Sequence, residues 1–150
     1  MAAMKYILAL IALLAVAEVA SADNSYECSI RLASQEPMYC ISMIHLLGNP
    51  EKFDNKKVRI TGYMNLEFEG NALYVRKDDF ENMMSENSIW LDLTNTKRPE
   101  FNSAYAIIEG TFLAGNRGHM GMFSGALTQI TRIDKSLSRA DIETIQNNQR

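Results

Sequence analysis

The sequence predicts a mainly β domain whose five short strands close into a small barrel, and three observations carry that prediction. From Val58 to Glu69 the even positions read Val58, Ile60, Gly62, Met64, Leu66, Phe68 and the odd ones Arg59, Thr61, Tyr63, Asn65, Glu67, Glu69. Strict period-two alternation marks a long strand with one buried face, here the even one. Gly62 and Gly110 fall inside strand segments, where a missing side chain lets a strand bend sharply enough to close a barrel. The other apolar runs are short and separated by turn-forming residues. A five-stranded barrel of this kind is most often of the oligonucleotide/oligosaccharide-binding (OB) type. A flattened sandwich is the alternative.

In chain order, residues 23–41 read as an N-terminal arm, 42–135 as the OB-like barrel domain and 136–150 as a C-terminal helix and tail. Ser42 is placed to cap a short helix, Met43–Leu47, which Gly48 and Pro50 would stop. A turn at Asn55 leads into the long strand, and Gly70-Asn71 into a second strand, Ala72–Arg76. Lys77–Met84 reads as a helical excursion, Ile89–Leu93 as the third strand and Ala104–Leu113 as the fourth. Thr94–Ser103, holding Pro99, is a polar loop. After the glycine-rich loop Gly115–Gly125, the fifth strand runs to Ile133. Its apolar residues Leu127, Ile130 and Ile133 change parity, which predicts a bulge near Thr128-Gln129. Ser138 and Asp141 form a capping-box pattern for a helix through about Gln146.

Residues 1–22 have the layout of a secretory signal peptide. A charged start at Lys5 precedes the apolar run Tyr6–Ala17 and the small-x-small box Ala20-Ser21-Ala22. That run falls short of the roughly 20 apolar residues a spanning helix needs, so the segment is expected to be removed and to leave no stable membrane anchor. The product would be a periplasmic or secreted bacterial protein beginning near Asp23. Cys28 and Cys40 are the only cysteines, and in an oxidising compartment they are expected to pair. The net charge of −3 gives no general attraction to nucleic acid or to an anionic surface.

Three blocks resemble a group of small uncharacterised bacterial OB-fold-like proteins. They are Asn49-Pro50-Glu51-Lys52-Phe53-Asp54 running into Lys57-Val58-Arg59-Ile60-Thr61-Gly62, then Leu66–Tyr74, then Arg117-Gly118-His119-Met120-Gly121-Met122-Phe123-Ser124-Gly125. Asn55 stands where that pattern more often has Gly. The resemblance implies an OB-like fold and a bacterial origin, and it implies no activity.

Two candidate sites follow. The first is the Gly115–Gly125 loop, where Arg117 and His119 set a permanent cation beside a switchable donor, both suited to carboxylate or phosphate. Its plain alternative is structural, with Arg117 paired to an acid and His119 to a loop carbonyl. The second is the outer face of the first three strands. There Tyr63, Tyr74, Arg76 and Trp90, with Glu67, Glu69 and Asp92, would interleave rings and charges as OB domains do for extended ligands. Its alternative is that Tyr74 and Trp90 lie beneath a terminal helix. Catalysis is not expected. Gly121-Met122-Phe123-Ser124-Gly125 is not a hydrolase nucleophile elbow, and His45 and His119 supply no triad. Glu67 and Asp92 are expected to be solubilising charges rather than a catalytic pair.

No metal or cofactor is expected. Met83-Met84 and Met120-x-Met122 could attract copper(I) through soft thioethers, but methionines more often fill irregular gaps in a core. The functional expectation is an exported, non-enzymatic binding module for a protein, peptide or glycan, with nucleic acid disfavoured. The alternative is an inhibitor or immunity-type protein that blocks a periplasmic or secreted enzyme. For that role Asp78–Glu86 is only a modestly acidic insertable segment.

Overall fold

The structure is a computed structural model and describes Cys28 and residues 37–148. The expected signal peptide lies outside the described residues, as does most of the N-terminal arm. The strands are β1 (Met38–Cys40), β2 (Lys56–Asn65), β3 (Ala72–Tyr74), β4 (Ser88–Leu91), β5 (Ala104–Leu113) and β6 (Ala126–Lys135). The helices are α1 (Met43–Gly48), α2 (Pro50–Phe53), α3 (Lys77–Glu81) and α4 (Arg139–Asn148).

β2 pairs antiparallel with both β3 and β5, β3 with β4, and β5 with β6, while β4 and β6 run parallel. The ring β2-β3-β4-β6-β5 therefore closes on itself as a five-stranded OB-like barrel. β1 is a strand that the sequence did not announce. It adds in parallel to β2, with Tyr39 opposite Val58. The expected disulfide is present between Cys28 and Cys40, Cα atoms 5.2 Å apart, and Cys28 N donates to Met38 O at 2.9 Å. A covalent link thus ties the arm to the barrel's added strand, worth about 2–3 kcal/mol on a chain-entropy model.

Val58, Ile60 and Met64 point into the barrel, where they meet Leu73, Ile89, Leu91, Ile108, Phe112 and Leu127. Gly62 lies among them, and a Cβ there would come within 2.5 Å of Tyr74 O and 2.8 Å of Leu73 Cγ. The missing side chain lets β3 cross close to β2 at the bend. α1 and α2 close one end of the barrel with Met43, Leu46 and Phe53, all buried. His45 N donates to the Ser42 hydroxyl at 3.1 Å, the expected cap.

The alternation ends sooner than expected. β2 stops at Asn65, because Asn102 takes over as its partner: Leu66 N donates to Asn102 Oδ1 at 2.7 Å and Asn102 Nδ2 donates to Leu66 O at 2.9 Å. Leu66 is only partly buried, and Phe68, expected inside, is 91% exposed at the tip of the β2–β3 turn. That turn is Glu67–Gly70, with Gly70 N donating to Glu67 O at 3.3 Å. It precedes the Gly70-Asn71 position read from the sequence. The bulge falls where parity predicted it. Glu109 pairs with Arg132 but Thr111 with Thr128, and Gln129 adopts φ 47°.

Candidate functional site

The outer face of β2, β3 and β4 is not an open platform. Tyr63 and Tyr74 are buried in a second apolar cluster with Ala72 and Phe123, against which Phe80 and Trp90 pack. Phe80, on α3, lies 5.9 Å from the Tyr63 ring and 5.5 Å from the Tyr74 ring, centroid to centroid. Phe123, from the β5–β6 loop, lies 5.4 Å from Trp90. The covering elements are thus α3 and the loop rather than a terminal helix. Burial pushes the Tyr74 hydroxyl's pKa above its ordinary value, the nearby Glu67 carboxylate adds to this, and a hydrogen bond with Ser85 opposes it. Arg76 is set apart from these rings. Its backbone N–H donates to Asp79 Oδ2 at 2.9 Å, and its side chain lines a groove of about 560 Å³ with Ile44, Leu47 and Val75. Asp79, though buried, also accepts from Asn87 Nδ2 at 2.9 Å. This carboxylate therefore serves to start α3 and hold the following turn.

The β5–β6 loop is a built structure. Ala114 N donates to Asp54 Oδ1 at 2.8 Å, fixing its first residue. Arg117 Nε donates to Phe123 O at 2.8 Å while Phe123 N donates to Arg117 O at 3.2 Å, a reciprocal clasp across the loop. Ser124 N donates to Ser88 O at 3.0 Å and its hydroxyl to Glu86 O at 2.7 Å, so the serine joins the loop to the turn before β4. Gly118 has φ 60°, and a Cβ on it would meet Trp90 Cβ at 2.5 Å. Glycine is needed there for both its backbone angle and its contact.

His119 follows and presents Nε2 to Glu69 Oε2 at 3.5 Å, a pair that is ionic only when the imidazole is protonated. This contact joins the β5–β6 loop to the β2–β3 turn. Each of the two segments also leaves a large apolar side chain in solvent, Phe68 next to Glu69 in the chain and Met120 next to His119, exposed to 91% and 81%. Arg117 and His119 thus belong to one rim, whereas Tyr63 and Tyr74 lie beneath it and Arg76 lies elsewhere.

Phe68 was missed as a site residue because the alternation assigned it to the interior, and Glu69 was placed on the outer strand face rather than beside the loop. The positive φ of 58° at Glu69 marks the turn that breaks the alternation. Asp92, a carboxylate weighed for catalysis, accepts from Thr94 Oγ1 at 2.6 Å and from Thr94 N at 3.0 Å. These hydrogen bonds hold its pKa below the ordinary carboxylate value, a turn-forming assignment. Among the described residues no group of three or more His, Cys, Asp or Glu is arranged to hold a metal ion, and no helix is long and apolar enough to cross a membrane. No family model, curated protein or solved structure matches the chain.

Proposed function

We propose that this chain is an exported, non-enzymatic OB-like binding module of a bacterial periplasm or secretome. It would engage a protein or peptide partner through the rim formed by the β2–β3 turn and the β5–β6 loop. One observation carries the reading: the Glu69–His119 contact joins two loops distant in sequence, and each presents a large apolar side chain, Phe68 or Met120, to solvent. Leaving such groups in water forgoes about 1.5–3 kcal/mol apiece relative to burying them. A partner that covers the rim would recover that stabilisation. Export is supported by the signal-peptide layout of residues 1–22 and is in keeping with the Cys28–Cys40 disulfide.

The inhibitor reading is the second, favoured by the shape of the β2–β3 turn. A bulky apolar side chain at the tip of a tight turn is suited to enter a cleft. Co-purification from a periplasmic extract, with mass spectrometry of what is retained, tests both. A stoichiometric enzyme that loses activity when bound supports inhibition, and a retained protein or peptide without inhibition supports a binding module. Retention unaffected by Phe68→Ser and Met120→Ser would remove the rim from either.

A further inference from the structure

Methionines that fill a core are buried, as Met43 and Met64 are. Four others are exposed instead, Met83, Met84, Met120 and Met122, to 87%, 50%, 81% and 42%. They come from two segments far apart in sequence, the turn after α3 and the β5–β6 loop, and the fold brings three of them to one groove. Met83, Met84 and Met122 line a single groove of about 420 Å³, with Glu86 and Arg117 on its walls.

The walls are held before any ligand arrives. Met84 N donates to Asp79 O at 2.8 Å, and the Ser124 hydroxyl joins the two segments through Glu86 O at 2.7 Å. Arg117 Nε is occupied by Phe123 O at 2.8 Å, and Glu86 lines the same groove. Thioethers are neutral, polarisable donors that prefer soft d10 cations to hard ones. With Glu86 as the one carboxylate residue among those lining the groove, it offers little to Ca²⁺ or Mg²⁺.

We infer that this groove is a binding site for a soft monovalent cation, Cu(I) or its analogue Ag(I), ligated by the sulfurs of Met83, Met84 and Met122. Binding alone is involved, with no change of oxidation state. His119 and Met120, in the same loop, are the nearest further donors in sequence.

The test is a titration of the exported chain, disulfide intact, with Ag(I), and with Cu(I) kept reduced by ascorbate in competition with a coloured Cu(I) chelator. Met83→Leu, Met84→Leu and Met122→Leu conserve volume, so the fold should tolerate them. Each is expected to weaken uptake by roughly tenfold or more, since losing a ligand should cost at least what losing an outer-shell partner costs. Met64→Leu, inside the barrel, should leave uptake unchanged. In the wild type, Ag(I) should shift the methyl NMR signals of Met83, Met84 and Met122. Failure of the wild type to compete with the chelator would overturn the proposal. So would uptake by the triple leucine variant equal to wild type, or an equal loss in Met64→Leu.

Discussion

Arg117 and His119 are neighbours in the sequence but differ in what they hold. The Arg117 side chain closes the β5–β6 loop on Phe123 O, so Arg117→Ala should lower the melting temperature, costing about 1–3 kcal/mol. His119 reaches outward to Glu69, and an exposed pair of this kind contributes little to stability. His119→Ala should therefore leave the melt nearly unchanged, within about 1 kcal/mol. Thermal unfolding of the two variants side by side checks the distinction. Equal losses would mean that both residues are scaffold. Gly118→Ala should be harsher than either, because the new methyl would be driven into Trp90 while the backbone is held at φ 60°. No sequence pattern distinguishes these roles, since Arg117 closes on a backbone oxygen within its own loop while His119 and Gly118 meet partners from other segments.

The long strand shows how far alternation can be read. Ile60→Ala should cost about 2–5 kcal/mol and Thr61→Ala under about 1 kcal/mol, measured by denaturant unfolding, because one faces the core and the other solvent. Past Gly62 that contrast disappears. Asn65, on the outward parity, is buried and accepts from Ser103 Oγ at 3.0 Å, so Asn65→Ala should cost about 1–3 kcal/mol. Parity told which side faces the barrel; it did not tell that α3 and the loop cover the other side. β1 escaped notice because three residues added in parallel to an edge carry too little periodicity to register. The C-terminal helix was legible because its start signal is local. The Ser138 hydroxyl and N–H donate to Asp141 Oδ2 at 2.6 and 2.7 Å, which holds the Asp141 pKa below its ordinary value. A carboxylate depressed in the folded state stabilises above its unfolded pKa, and that contribution is lost as pH falls through the depressed value. Acidification through that range should reduce α4 helicity by circular dichroism, and Asp141→Asn should remove that part of the change.

At the scale of the molecule, barrel closure came through in the sequence because it rests on local devices: alternation, glycines in strands and a bulge that changes parity. The candidate rim was half legible. The Gly115–Gly125 loop stood out by composition, but its partner turn did not, because Phe68 fitted the inward parity. The aromatic face of Tyr63, Tyr74 and Trp90 was identified as a surface, and the structure makes it a second core beneath that loop. The rim therefore depends on the barrel as support, with the loop packed through Phe123 onto the outer rings. The central claim is that partner binding resides in the rim and not in those rings. The most direct measurement is the amount of partner captured per folded molecule by the Phe68→Ser/Met120→Ser double variant, set against wild type. Both side chains are in solvent, so the fold and its melting temperature should persist while capture falls by roughly tenfold or more, as for loss of central apolar contacts worth at least about 1.4 kcal/mol. Capture equal to wild type by a fully folded double variant would contradict the account.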